Sequence, residues 1–342
     1  MAAELIKRGK KLDLLPTGST LLNLACADSP FGGYSMGSVV NLVSDSDVGK
    51  SILAMTTLAE IASKKAYDHY RLIYVAVEPL NFDVSILFRS LVGRIEVMVF
   101  ETIEELYVAF MKWMSERRAL VIVVDSYDAL SVKEEVKKGE AASKRKAGPT
   151  KEDNMAGYES AKKTKHLKTL LRFAKTDLPK SKSLMIIISQ VIMNMEQGLF
   201  KQKHVITGGQ PIKHFPLHRI WLKPEVPIEV KGCRIGRIVR AEVFKNHLTG
   251  KHRDVTFPIY EQIGVDDITS CVTFLIEQKC WKDKTVDKKS GINCPEINFW
   301  GSTKEIVKHI EDKNLYQELY RAVTKVWLER EQELKLDRKP RF

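Results

Sequence analysis

The sequence predicts an α/β fold: a mostly parallel sheet, an antiparallel extension beyond it, and a small C-terminal α/β domain. Three observations predict it. Four short apolar, β-branched runs alternate with segments of helical periodicity between residues 38 and 190, as a parallel sheet covered on both faces requires. Three strand-like runs then succeed one another across turns between 218 and 260, which suits antiparallel pairing. From about residue 266 the pattern turns helical and mixed.

The elements follow in order. "SVVNLV" (38–43) reads as a buried strand, and "KSILAMTTLAEIASKKA" (50–66) carries Ile52, Met55, Leu58, Ala59 and Ala62 at helical spacing. "RLIYVAVE" (71–78) is a second strand, "TIEELYVAFMKWMSE" (102–116) an amphipathic helix, and "ALVIVVDS" (119–126) a third strand apolar on both faces. "AKKTKHLKTLLRFAK" (161–175) reads as a helix and "SLMIIISQ" (183–190) as the fourth strand. The extension comprises 218–226, 236–246 and 253–260. Ile306, Ile310, Leu315, Leu319, Val323 and Trp327 recur at helix-like intervals, with Ser302 and Glu305 spaced as a capping box. The expected division is a short segment 1–16, a core over 17–265 and a small domain over 266–342. The segments 133–158 and 191–210 are polar, and read as mobile loops that follow strand ends.

At 342 residues, the chain can bury one large domain and an appendage. No apolar run reaches the roughly 18 residues that span a bilayer. The N-terminal stretch lacks the apolar centre of a signal peptide, so a cytoplasmic protein is expected. Cys26, Cys233, Cys271, Cys280 and Cys294 form no CxxC pair and are expected as buried, reduced thiols. The net charge of +12 suits a polyanionic partner.

The chemistry centres on "SDSDVGKS" (44–51), which sits between a strand and a helix and ends in Gly-Lys-Ser. In such a loop, backbone N–H groups and a helix N-terminus point at phosphate. Ser44, Asp45, Ser46, Asp47, Val48, Gly49, Lys50, Ser51 and Ile52 are the candidate nucleotide-binding residues. Lys50 would reach the outer phosphates and Ser51 would hold Mg²⁺. Asp125 ends a buried strand and suits a grip on that ion through water. Glu78, also at a strand end, is the candidate for orienting an attacking water. Gln190 ends the fourth strand, where an amide could sense the outermost phosphate. Each could instead be an ordinary cap, turn or surface residue. Four suitable side chains at four consecutive strand ends are harder to obtain by accident than one.

The two loops are the candidate nucleic-acid contacts. The first carries Lys144, Arg145 and Lys146 among other cations, diluted by Glu134, Glu135, Glu140, Glu152 and Asp153. The second carries Lys201, Lys203 and His204 beside Met193, Met195 and Phe200. Cations neutralise backbone phosphates, and an apolar tip can wedge between bases or stack on them. A solvated charge run and a plain surface loop are the alternatives.

Taken together, "LPTGSTLLNLAC…GGYSMGSVVNLV", "YVAVE", "VIVVDSYDAL", "IIISQV", "TGGQPIKHF" and "VRAEVFKN" resemble the RecA-type recombinases of bacteria and phages, over roughly 15–265. The resemblance implies a RecA-like P-loop ATPase core that uses ATP and Mg²⁺, binds single- and double-stranded DNA and self-associates as a filament. It implies that 133–158 and 191–209 are DNA loops, with Thr207, Gly208 and Gly209 closing the second. It also implies that Lys245 acts catalytically across a subunit interface, and that Asp83, Phe82 or Ile86 stands where the family stacks a tyrosine on adenine. There are departures. Ser44 replaces the first loop glycine, which would cost on the order of 1 kcal/mol if that position needed a positive φ. Asp45 and Asp47 add negative charge, His247 replaces a lysine, and the segment before Thr17 is short.

Three readings follow. One is a DNA-stimulated ATPase that supports homologous strand pairing. Another is an ATP-binding, weakly hydrolysing or non-hydrolysing DNA-binding accessory of recombination. The third is a ring-forming, helicase-like relative.

Overall fold

A computed structural model of the chain describes residues 13–77, 93–133, 156–193, 204–206, 208–286 and 289–338, with backbone alone at 156–161, 192–193, 204–206, 286 and 289. The first half runs β1 (Leu14–Leu15), α1 (Thr20–Ala27), β2 (Tyr34–Ser35), β3 (Ser38–Ser44), α2 (Lys50–Ser63), β4 (Arg71–Ala76), β5 (Ile95–Met98), α3 (Ile103–Ser115) and β6 (Leu120–Asp125). Next come α4 (Ala156–Ser181), β7 (Leu184–Met193), β8 (His204–Ile206), α5 (Gly209–His214), β9 (His218–Val230), β10 (Cys233–Asn246), β11 (Asp254–Tyr260) and β12 (Gly264–Val265). The C-terminal part holds α6 (Asp267–Glu277), β13 (Lys282–Val286), β14 (Lys289–Cys294), β15 (Phe299–Gly301), α7 (Thr303–Lys313) and α8 (Tyr316–Glu333).

The central sheet has the order β12-β11-β10-β9-β3-β7-β6-β4-β5, with β8 added to the end of β7. From β9 to β5 every pairing is parallel, and from β9 to β12 every pairing is antiparallel. Parallel strands must be shielded on both faces, and every residue of β3 is buried. One face packs α1, α2 and the C-terminal helices through Leu24, Leu53, Leu58, Val272, Leu275 and Trp327. The other packs α3 and α4 through Leu106, Phe110, Leu167, Leu171 and Leu178. The register aligns the functional ends: Ser44 pairs with Gln190, and Asp125 with Ala76.

Local chemistry accounts for the boundaries. A capping box between Thr102 and Glu105 starts α3, satisfying amides that have no partner within the helix. The expected Ser302–Glu305 box is present and starts α7. The C-terminal periodicity does not form one helix, however. Asn314 adopts φ 56° and separates α7 from α8, a left-handed stop that Asn tolerates.

The second predicted loop also needs correction. Residues 191–193 continue β7 and pair antiparallel with 204–206, Val191 opposite Ile206. "VIM" and "HVI" are β-branched enough to extend the sheet, so the loop proper is shorter than 191–210. Helix α4 is longer than expected at both ends. The edge strand β5 and the three-stranded sheet β13-β14-β15 carry too little apolar alternation to have been read. All five cysteines are free, but Cys233 and Cys280 are exposed, against the expectation that all are buried. Among the described residues no helix is long and apolar enough to cross a membrane.

A polar lock fastens α8 to the core. Glu331 accepts from Arg253 Nε at 2.5 Å and Nη2 at 2.9 Å, and pairs with Lys251 Nζ at 2.8 Å. Lys251 also reaches Asp28 at 2.6 Å, and Trp327 Nε1 donates to the same carboxylate at 3.2 Å. Glu331 is 6% exposed, so these partners replace its water.

Candidate nucleotide cleft

The candidate phosphate loop leaves β3 at Ser44 and enters α2 at Lys50. Ser44 is the last strand residue and its φ is not positive, so the anticipated glycine penalty does not arise there. The left-handed positions are Asp47, at φ 58°, and Gly49, at φ 112°. Asp is one of the few non-glycine residues that visits that region readily. Gly49 is constrained in space as well as in φ: a Cβ there would lie 2.9 Å from Ile259 Cδ1. Val48 is buried beneath the loop, whereas Asp45, Ser46 and Asp47 are exposed.

Lys50 is buried, at 7% exposure, and its ammonium is fully engaged. Nζ donates to Ser44 O at 3.1 Å, to Ser44 Oγ at 2.9 Å and to Asp45 O at 2.6 Å. Burial pulls its pKa below the usual lysine value, and the carboxylates of Asp125, Asp45, Asp128 and Asp47 oppose that pull. The loop therefore holds a cation in place by backbone curvature and by the Ser44 hydroxyl.

The loop forms one wall of a cleft of about 410 Å³. Ser46, Asp47, Val48, Gly49, Lys50, Ser51 and Ile52 line it together with Asp125 and Gln190. Three strand ends thus converge on one space, as open α/β sheets arrange their ligand sites. Asp125 accepts a short hydrogen bond from the Tyr74 hydroxyl, which fixes the carboxylate. The backbone N–H of Gln190 donates to Asp128 Oδ2 at 2.8 Å, tying the end of β7 to the turn after β6. Sequence reasoning missed Asp128, and it also missed Ser126, Ile188, Arg234, Gly236, Arg237, Ile259 and Glu261, which complete the lining. Gly236, Arg237 and Ile259 come from strands read as extension, Arg234 lies just before one of them and Glu261 just after another. Only their cross-strand register brings them to the loop.

The donor set fits a magnesium–polyphosphate pair. Among the described residues no three or more Asp, Glu, His or Cys side chains converge as a metal cage. Ser51 and Asp125 offer two hard oxygens in a cleft that also presents the Lys50 ammonium, the Arg234 and Arg237 guanidinium groups and the Asp47 and Glu261 carboxylates. That suits an ion which completes its shell with phosphate oxygens and water.

Lys245 lies elsewhere. It is eight residues from Arg237 along β10, roughly 25 Å at strand rise, and donates to Lys213 O at 3.1 Å and His214 O at 2.6 Å at the end of α5. Its pKa is lowered by burial, then by Arg219. Gly208 and Gly209 adopt φ 87° and 66° and start α5 against α4, where a Cβ would meet Leu167 at 3.0 Å and Thr164 at 3.2 Å. Met193 ends β7. Glu78, Asp83, Lys144, Arg145, Lys146, Met195, Phe200, Lys201, Lys203 and Thr207 lie outside the described residues.

Comparison with known proteins agrees with this architecture. The profile of the RecA N-terminal domain matches residues 4–266. Protein RecA of Bacteroides thetaiotaomicron is 25% identical over 266 residues, covering 75% of this chain and 71% of its own. Protein RecA of Thermus thermophilus is 25% identical over 272 residues, with 78% and 72% covered. Protein RecA of Helicobacter pylori is 23% identical over 325 residues, with 92% and 83% covered. The matched segment takes in the loop 44–51, the Asp125 strand and both sides of the cleft, and the chain belongs to the RecA family.

Proposed function

We propose that the chain is an ATP-dependent DNA-binding protein of the recombinase kind, whose ATP hydrolysis is stimulated by DNA and supports homologous strand pairing. The observation that carries this reading is the convergence of Lys50, Ser51, Asp125 and Gln190 on one cleft at the ends of β3, β6 and β7. Residues 44–52 would hold the polyphosphate, and Ser51 with a water on Asp125 would hold Mg²⁺. When bound, the ion would neutralise charge on the outer phosphates. Lys50 would exchange its carbonyl partners for phosphate oxygens, a stronger charge-assisted contact. Glu78 remains the proposed group for orienting water.

The coupling of nucleotide to DNA would run through β7. Gln190 faces the cleft, and three residues later the strand ends in the hairpin with β8 that leads to Gly208 and Gly209. The proposed DNA contacts are Lys144, Arg145 and Lys146 in the first loop, and Met193, Met195, Phe200, Lys201, Lys203, Thr207, Gly208 and Gly209 in and around the second. Lys245 is too far along β10 for its own cleft, which supports a role at a neighbouring subunit's nucleotide in a filament or ring. The non-hydrolysing accessory reading loses part of its support, since Ser44 is unstrained.

The test is ATP turnover on single-stranded DNA. Wild type should hydrolyse ATP faster with DNA than without it, and Lys50→Ala should lose turnover while keeping its circular dichroism spectrum. Hydrolysis by Lys50→Ala at the wild-type rate would refute the reading.

A further inference from the structure

The cleft has a second wall that the phosphate loop does not supply. Arg237 stands opposite Ile259 in the β10–β11 pair, and Glu261 follows Ile259 by two residues. Side chains directly opposite on antiparallel strands share a face, as do residues two apart on one strand. Ile259 is the residue that abuts Gly49 of the loop. Arg237 and Ile259 therefore face the loop together, and Arg234, just before the register shift at Gly236, and Glu261, in the turn just past β11, join them in the lining.

The charges on this wall bear on one another. Arg237 is pulled below its ordinary pKa by burial first and by the neighbouring Arg234 second, while Asp47 and Glu261 act the other way. Two guanidinium groups thus repel each other at the mouth of a partly desolvated cleft. Across it the loop presents the exposed carboxylate of Asp47, with Asp45 next to it in the chain but outside the lining. Crowded like charges favour the arrival of a counter-charge. A guanidinium is suited to one ligand chemistry above others, because its planar fork takes two oxygens of a phosphate at once.

We propose that Arg237, assisted by Arg234, is a second phosphate-binding element of this cleft. It acts from the same chain as Lys50 and offsets the negative charge that Asp45 and Asp47 bring to the loop. The proposal rests on the nucleotide reading above and deepens it. It gives the acidic loop a partner: the carboxylates that would repel a polyphosphate are balanced by cations on β10.

The experiment is calorimetric titration of the full chain, in Mg²⁺ buffer, with a non-hydrolysable ATP analogue and with ADP. The variants are Arg237→Gln, Arg237→Lys, the double Arg234→Gln/Arg237→Gln, Asp47→Asn, Asp47→Asn/Arg237→Gln and Lys50→Ala. Thermal unfolding of each variant is recorded beside its affinity. Arg237→Gln should weaken the triphosphate analogue about tenfold and the double arginine variant more, with unfolding temperatures unchanged. Arg237→Lys should retain most of the affinity, and adding Asp47→Asn to Arg237→Gln should recover part of it. Wild-type affinity in both arginine variants, with binding lost in Lys50→Ala, would overturn this proposal and leave the nucleotide reading standing. Absence of nucleotide binding by the wild type would overturn both.

Discussion

Nζ of Lys50 lies 2.9 Å from the hydroxyl of Ser44, six residues earlier in the same loop. Glycine at that position could not supply the contact. The hydroxyl in turn donates to Asp45 O at 2.7 Å, so it links the ammonium to the turn that follows. Because Ser44 has strand geometry, its side chain costs no backbone strain and gains a hydrogen bond to a charged group.

Ser44→Gly is therefore expected to destabilise the protein. The lost bond and the added backbone freedom together amount to about 1–2 kcal/mol. Urea unfolding without nucleotide checks this. An increase in stability would show that serine is strained there after all.

Gly49→Ala should damage the cleft from the other side. The residue sits at φ 112°, and the new methyl would meet Ile259 at 2.9 Å. The cost should be about 2 kcal/mol of stability, with weakened nucleotide binding. Ile259→Ala in the same background should restore some of the binding by removing the clash.

The lock on α8 predicts an acid-sensitive C-terminal region. Arg253 first, then Lys251, hold Glu331 down to a pKa of about 2. A carboxylate with a depressed folded pKa stabilises above its unfolded value and loses that contribution as pH falls through the folded value. Glu331→Gln should thus cost roughly 3 kcal/mol at neutral pH and little near pH 2. Denaturant midpoints at the two pH values measure the difference. Equal losses at both would contradict the assignment.

His218 and Asp267 should pull against one another at mildly acid pH. Burial lowers His218 to about 4, although Cys26 and Asn246 beside it pull the other way. The unfolded chain then binds the extra proton between about pH 6.5 and 4, and stability falls as pH falls. Burial raises Asp267 to about 6 despite its bonds from Thr20. Over about pH 4 to 6 the folded chain keeps that proton longer, so this group contributes stability that is lost as pH rises. His218→Gln should unmask the second slope: its melting temperature should fall from about pH 5 to about pH 6.5. A variant whose profile parallels the wild type would remove His218 from the account.

Much of the sheet was legible because burial on both faces writes itself as uninterrupted apolar runs. β3, β6 and β7 are such runs, and the sequence placed Ser44, Asp125 and Gln190 at or near their ends. Gly49-Lys50-Ser51 was legible because phosphate binding needs those residue types side by side. The opposite wall was hidden. Arg234, Arg237 and Ile259 come from two strands and Glu261 from the turn after the second, and only the register of β10 on β11 brings them to Gly49. The break at Asn314 was hidden for another reason: apolar spacing continues across it, and a single left-handed residue leaves no trace in periodicity. Edge strand β5 was missed because its exposed face relaxes the alternation that marks a half-buried strand.

The central claim is that amides of residues 44–51 surround a polyphosphate and that Lys50 neutralises it. A crystal structure with Mg²⁺ and a non-hydrolysable ATP analogue tests it most directly. The expected result is Lys50 Nζ turned from Ser44 and Asp45 onto phosphate oxygens, with the ion between Ser51 and a water on Asp125. A structure at saturating analogue with the nucleotide bound elsewhere, and Lys50 still on the Ser44 hydroxyl, would contradict it.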